Sequence, residues 1–275
     1  MISKINMNNE PLVSVLFQVN RIDGFVKAAV DSIFNQTFNN FEVVVITETH
    51  LLEQLRSELK QYDQRLRIIG HNFKGLGIAL NIGLLNSKAE FIAKMDADDI
   101  SLPERLELQV EFLTKNKDIK AVFSRVSTID KMDNILRKNS PYLSPKTINL
   151  VLPFFCCVAH PTVMFRKSYI MSLGGYNNEK IDDYDLWLRI LENNPNLHQL
   201  AMIDRVLLHY RLHDLQYTAN PNYKMLKRWN LILKVKMFLE TYKLKYLFAI
   251  FIPTWLGRLA FYFYRYFNVQ TKKSP

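Results

Sequence analysis

Two groups of acids stand where they could do chemistry. The first is Asp96-Ala97-Asp98-Asp99, which follows residues 91–95, four of them apolar. Two carboxylates two residues apart at the mouth of a buried strand can converge on one hard cation. Mg2+ and Mn2+ favour such oxygen ligands and share them with phosphates. The same acids could instead cap a following helix, because Ser101-Leu-Pro-Glu104 has the form of a capping box with a proline in the first turn. The second group is Asp182-Asp183 with Asp185, opening a helical stretch that carries Leu186, Trp187, Ile190 and Leu191 on one side. A helix dipole and free backbone N–H groups keep a carboxylate there ionised, so that it can accept a proton from a hydroxyl. Acidic first turns are also common as plain caps, and spacing alone leaves both readings open. Trp187 lies on the apolar side and reads as core.

The elements that must position these acids follow from hydrophobic pattern. Residues 12–19, 41–46, 66–69, 91–95 and 121–129 are short apolar, β-branched runs that read as strands. Between them, residues 24–36, 53–62 and 75–85 carry helical patterns. This alternation predicts a mainly parallel sheet with helices on both faces, whose ligands sit at the carboxyl ends of strands. The run from Asp96 to Asp99 falls at such an end. The second half is less regular: residues 162–166 and 206–212 are strand-like, and Gly174-Gly175 breaks the chain.

The 275-residue chain is long enough for one large domain and an appendage. Hydrophobic residues make up 48% and charged residues 23%, which supports a real core and excludes disorder as the default. Adjacent Cys156 and Cys157 are poorly placed to bridge each other and read as buried thiols of a reducing compartment. The polar N-terminus does not read as a signal peptide. The formal net charge is +10, yet residues 224–275 hold eleven Lys/Arg and one acid, Glu240, leaving 25 of each sign in residues 1–223. A neutral main domain argues against nucleic-acid binding. A basic, aromatic tail points to an anionic membrane surface.

Nine blocks in order resemble the family 2 glycosyltransferases with the GT-A fold, over roughly residues 11–218. Among them are Val30-Asp-Ser-Ile-Phe-Asn-Gln-Thr-Phe38, Gly75-Leu-Gly-Ile-Ala-Leu-Asn-Ile-Gly83, Phe91-Ile-Ala-Lys-Met-Asp-Ala-Asp-Asp99, His160-Pro-Thr-Val-Met-Phe-Arg166, Asp182-Asp-Tyr-Asp-Leu-Trp-Leu-Arg189 and Tyr210-Arg-Leu-His213. The resemblance implies a Rossmann-type α/β/α sandwich with a mixed central sheet in residues 1–220. Its nucleotide-sugar half would be about 11–130 and its acceptor half about 131–220, with 221–275 as a helical, membrane-associating tail. It implies an inverting, metal-dependent transferase that uses a nucleotide-sugar, a UDP-sugar in the first instance, and builds surface polysaccharide on a glycan or lipid-linked acceptor. Asp98 would be the principal metal ligand, with Asp96 on the ribose or the metal, and His213 the third candidate. Asp183, the second member of the Asp182-Asp183 pair, would be the general base. Arg211 would offer a fork for phosphate, Lys74 and Asn81 would border the nucleotide, and His160 would line the sugar pocket. Lys94 and Asp99 flank the metal site in either a helping or a solvent-facing role.

The sequence departs from the family at the nucleotide. The first strand ends in Phe17-Gln-Val-Asn-Arg21 and keeps only Asn20 of the usual pattern, and Thr47-Glu48 stands where a pair of Asp residues is usual. Glu48 could still accept the imide N–H of a uracil. The same departures motivate a rival reading, a non-catalytic subunit of this fold tethering a partner enzyme at the membrane. A nucleotidyltransferase is weaker, because no early glycine-rich phosphate loop is present. In the tail, residues 246–264 are long enough to span a bilayer, but Pro253, Gly257 and Arg258 interrupt them. Two short amphipathic helices at the inner, cytoplasmic face of the membrane fit better, and packing against the catalytic domain or a partner chain is the alternative.

Overall fold

The strand β1 (Val13–Val19) is buried at every position but Gln18, and β2 (Phe41–Thr47) at every position. Such continuous apolar runs belong to strands covered on both faces. The computed structural model describes residues 10–72, 75–177, 182–195, 197–214 and 223–251, with side chains at all of these except 182 and 223–227. In it, β1 lies parallel between β2 and β4 (Phe91–Asp96), with Val15 opposite both Val43 and Ala93, and β3 (Leu66–Gly70) extends the sheet beyond β2.

Period-2 alternation splits these strands between two layers. Val13, Val15 and Phe17 face α1 (Gly24–Phe34) and α4 (Arg105–Lys115). Leu16, Val44 and Ile46 face α3 (Leu76–Asn86) and α7 (Asp182–Asn193). The helix α3 approaches so closely that a Cβ on Gly83 would lie 2.0 Å from Leu16 Cδ1, which only glycine permits. The short helices α2 (Leu52–Glu58), α5 (Pro145–Val151) and α6 (Lys167–Ser172) complete the connections.

Beyond β4 the sheet changes character. The strand β8 (Met164–Arg166) runs antiparallel to β4, and β6 (Ala121–Ile129) antiparallel to β8. The twelve-residue β9 (Leu200–Arg211) is parallel to β6, and β5 (Ile100–Ser101) pairs antiparallel with β9, while β7 (Ile135–Arg137) pairs with β6. The order is β3-β2-β1-β4-β8-β6-β9-β5. The sheet is therefore mixed, where strand–helix alternation alone predicts a mainly parallel one.

The expected capping box is not formed. Ser101 belongs to β5, opposite Leu208 of β9. Its N–H donates to Ser32 Oγ (3.0 Å) and its hydroxyl accepts from Gln36 Nε2 (3.1 Å). The helix α4 instead starts after Glu104, whose side chain makes no capping bond. Cys156 and Cys157 are free and partly buried, and burial pushes the Cys157 thiol up to about 12.

The described part of the tail is a helical hairpin, α8 (Tyr223–Thr241) and α9 (Leu244–Phe251). Leu233, Met237 and Tyr246 join the same core as Trp187 of α7. Glu192 near the end of α7 accepts from Tyr246 Oη at 2.7 Å and pairs with Lys243 and Lys245. Among the described residues no helix is long and apolar enough to cross a membrane. Residues 252–264 of the apolar tail run lie outside the described residues.

Candidate active site

The parallel strands β1, β2 and β4 end side by side. Val19 pairs with Thr47 and Gln18 with Asp96, so Asn20, Glu48 and Asp96 emerge along one edge. Asn20 is exposed at that edge. Glu48 is half-exposed, with its carboxylate 3.3 Å from His50 Nδ1. Lys74 lies outside the described residues.

The turn after β4 brings one oxygen from each of Asp96, Asp98 and Asp99 within 4.8 Å of one another. Each acid has its own restraint. Lys94, 1% exposed, bonds the Asp96 carboxylate and donates to Met95 O at 2.9 Å. Enclosure raises the Asp96 carboxyl, but Lys94 and then His160 overcome this and hold it below the usual carboxylate range. His213 Nε2 lies 2.9 Å from Asp98 Oδ2, and its ring packs on Phe25 at 5.2 Å. His213 thus meets Asp98 without joining the group of three carboxylates. Asp99 is fully buried and accepts from the Arg211 N–H at 2.9 Å, while its Oδ2 has no partner among the described residues. Burial, then Asp96 and Asp98, push its carboxyl well above the ordinary range.

Arg211, expected as a phosphate fork, is 1% exposed. Its guanidinium donates to Asp98 O (2.7 Å) and Asp130 O (3.0 Å), pairs with Asp133 (2.6 Å) and covers Phe25 at 4.6 Å. It holds the acidic turn from behind. Asn81, expected beside the nucleotide, instead clasps the backbone of Tyr176: its Nδ2 donates to Tyr176 O (2.7 Å) and its Oδ1 accepts from Tyr176 N (2.8 Å). Gly175 must be glycine for this clasp, since its φ is +72° and a Cβ would lie 2.5 Å from Asn81 Oδ1.

The clasp positions a bridge between the two acid groups. Tyr176 Oη is hydrogen-bonded to His160 Nε2 at 2.9 Å, and the His160 ring packs edge-on to Trp187 at 5.7 Å. Burial pushes the His160 imidazole down to about 4 despite the fields of Asp183 and Asp96, so it is neutral near pH 7. The same fields place His160 within electrostatic reach of Asp183, Lys94 and Asp96. Asp183 is half-buried in the first turn of α7, where its Oδ1 accepts from Tyr184 N at 2.8 Å. Asp182 opens the helix; its side chain is outside the described set. Asp185 is fully buried and structural, accepting from Arg189 Nε and Asn177 Nδ2, both at 2.7 Å. Arg189 in turn donates to Gly175 O at 2.7 Å, tying α7 to the loop that carries Tyr176.

Sequence reasoning passed over Arg105. This guanidinium is 1% exposed beneath the acidic turn and donates to Lys94 O at 2.6 Å. Burial lowers it to about 10, and Asp99 and Asp96 oppose the shift. The available signal was a polar pair, Arg105 and Gln109, at helical spacing on the inward side of α4; Gln109 donates to Thr162 O at 2.7 Å. Sequence reasoning gave Tyr176 no role either. Trp187 is fully buried as expected, and its indole N–H has no partner among the described residues.

A mixed sheet with helices on both faces and carboxylates at the end of a central parallel strand defines an α/β enzyme whose ligand sits at the strand mouths. The profile of Glycosyl transferase family 2 matches residues 19–174, and the chain belongs to that family. The O-antigen biosynthesis glycosyltransferase WbnJ of Escherichia coli is 38% identical over 210 residues, spanning 74% of this chain and 80% of that protein. The UDP-Gal:alpha-D-GlcNAc-diphosphoundecaprenol beta-1,3-galactosyltransferase of Escherichia coli is 32% identical, over 69% of this chain and 71% of that one. Among solved structures, S. aureus TarS 1–349 in complex with UDP-GlcNAc superposes with a TM-score of 0.61 at 14% identity, and 81% of this chain covers 66% of that chain, just under two thirds. That likeness shows the fold, a GT-A-type α/β architecture.

Proposed function

We propose that this glycosyltransferase moves a sugar from a nucleotide diphosphate-sugar, a UDP-sugar in the first instance, to a hydroxyl of a glycan acceptor, with inversion at the anomeric carbon. The observation that carries the reading is the convergence of Asp96, Asp98 and Asp99 at the carboxyl end of β4. Three carboxylates with one buried oxygen left unpartnered, Asp99 Oδ2, suit a hard cation. Mg2+ or Mn2+ held by Asp98 and Asp96 would neutralise charge on the departing diphosphate. His213 steadies Asp98, Arg211 holds the turn, and Asn20 and Glu48 orient the nucleotide at the neighbouring strand ends.

Asp183 is the general base. The acceptor oxygen forms its bond to the anomeric carbon as the bond from that carbon to the phosphate oxygen breaks. The hydroxyl proton passes to the Asp183 carboxylate, and the nucleoside diphosphate leaves with the electron pair. His160, neutral and fixed by Tyr176, is the group between the two acid sets.

The acceptor is a lipid-linked glycan in surface polysaccharide assembly, and the enzyme works as a peripheral protein on the inner face of the membrane. The lipid diphosphate named for the galactosyltransferase relative and the O-antigen role named for WbnJ support this part of the reading. The test is a donor screen. Purified protein with Mn2+ and a panel of nucleotide-sugars should release nucleoside diphosphate from one of them, a chelator should stop the release, and Asp98→Asn should abolish it. No release from any donor, with or without membrane extract as acceptor, would overturn the reading in favour of the non-catalytic subunit.

A further inference from the structure

The α8–α9 hairpin has two faces of different construction. Its inner face is built into the enzyme. Leu233 and Met237 of α8 and Tyr246 and Ala249 of α9 are buried. Lys234 Nζ donates to Ala249 O at 3.1 Å, and Lys236 lies 3.5 Å from Asp185 of α7. Glu192 gathers Lys243, Lys245 and Tyr246. These contacts fix the hairpin to the helix that begins with Asp182 and Asp183.

Among the described residues, the outer face is apolar and uncovered. At about 100° per residue, Leu231, Val235 and Leu239 fall roughly 180° round α8 from Leu233 and Met237, and Tyr242 follows just past the helix end. Leu244, Phe248 and Phe251 likewise fall opposite Tyr246 and Ala249 on α9. All seven are exposed, Leu239 at 59%, Phe248 at 60%, Phe251 at 76% and Tyr242 at 79%. Seven exposed apolar side chains on one two-helix unit mark an interaction surface. Its setting identifies the partner. Residues 224–275 carry eleven Lys/Arg against one acid; beyond the four lysines engaged on the inner face, seven remain in the segment, and the chain beyond Phe251 continues apolar, aromatic and basic. An apolar face within a strongly cationic segment complements an anionic lipid surface, which takes aromatic and aliphatic side chains at the acyl boundary and Lys/Arg at the headgroups.

We infer that the outer face of α8–α9, centred on Leu239, Tyr242, Leu244 and Phe248, is a docking face for an anionic bilayer, and that the inner face joins this dock rigidly to the base-bearing helix α7. The inference rests on, and gives an address to, the membrane-peripheral part of the proposed function, and it is independent of the chemistry. It makes α8–α9 a mount that presents the catalytic cleft to a membrane-borne acceptor.

The experiment is co-sedimentation of the full chain with vesicles of equal parts phosphatidylglycerol and phosphatidylcholine, and with phosphatidylcholine alone. The wild type should pellet with the anionic vesicles, weakly with the neutral ones, and less at high salt. The double variant Leu239→Glu/Phe248→Glu should bind at least tenfold more weakly at an unchanged melting temperature. Should it melt early, the single change Leu244→Glu carries the same test. Equal pelleting of variant and wild type would overturn the assignment, meaning that another surface, such as residues 252–275, meets the lipid. So would a wild-type dimer, seen by light scattering, that the variant dissolves without any vesicle binding, because the occupant would then be a second copy. Donor turnover in solution, read on the same samples, separates failure of the dock from failure of the glycosyl-transfer reading.

Discussion

The two acid groups of the molecule use the same residue type to opposite ends. In the turn after β4, three aspartates crowd together, and each is restrained by a different partner: Lys94 on Asp96, His213 on Asp98, the Arg211 backbone on Asp99. At the start of α7 the labour is divided. Asp185 is fully buried and ties the helix to the Gly174-Gly175 loop through Arg189, whereas Asp183 stays half-buried and faces His160. Crowding like charges is costly in the absence of a compensating cation, and burying one carboxylate beside an arginine is structural. Under the proposed function, the difference corresponds to cation holding by the turn and proton transfer by Asp183, with Asp185 as framework.

The sharpest way to break this division is to remove one member of each kind. Asp98→Asn should lower donor turnover by about 1,000-fold or more, equivalent to ~4 kcal/mol of transition-state stabilisation, and weaken Mn2+ binding measured by calorimetry. Asp183→Asn should lower transfer by about 100-fold or more while leaving calorimetric affinity for donor and Mn2+ intact. Equal loss of donor binding in both variants would erase the distinction between the groups.

Asp185→Asn should do the reverse. Breaking a buried, hydrogen-bonded ion pair costs about 3 kcal/mol, so Tm should fall by about 6–12 °C in a chain of this size, with turnover below the transition changed far less than by Asp183→Asn. An unchanged Tm together with lost turnover would move Asp185 into the chemistry.

How much of this was legible follows from what each half of the sheet demands of its residues. The strands β1, β2 and β4 are buried on both faces, so their apolar runs announce themselves, and the acids that interrupt the last run mark the site. The antiparallel half gives weaker signals. Strand β5 is two residues long and pairs 109 positions away in sequence, Ile100 with His209, so Ser101 read as a helix cap. Strand β9 extends six residues upstream of the apolar stretch, because the exposed Asp204 and Arg205 sit at a register shift against β6 and separate the buried Leu200–Met202 from the part that begins at Val206. The roles of Asn81 and Arg211 were obscured for the same reason. Both side chains hold backbone groups of residues 95 and 113 positions distant, and a side chain that serves a remote carbonyl looks in sequence like one that serves a ligand.

Asn81→Ala sharpens that last point. If Asn81 is a clasp, losing its two hydrogen bonds to Tyr176 should cost about 1–3 kcal/mol in denaturant unfolding, with the donor KM little changed. A raised donor KM at unchanged stability would return Asn81 to the nucleotide.

The smallest expected effect concerns the bridge between the acid groups. Burial holds the folded His160 at about 4, below its ordinary 6.5. As pH falls through 6.5 the unfolded chain takes up a proton that the folded chain refuses until about pH 4. The stability contributed by the neutral imidazole is therefore complete above pH 6.5, is lost progressively between about 6.5 and 4, and falls no further below that on its account. In His160→Gln this contribution is absent, and the amide can still meet Tyr176 Oη. The wild type should thus lose Tm more steeply than the variant across that window, and the gap between the two should narrow as pH 4 is approached. A wild type that lost Tm less steeply than the variant would mean that His160 is already protonated in the fold. The two acid groups would then be joined by a fixed positive charge, and the contrast between a charge-compensated turn and an open base would fail.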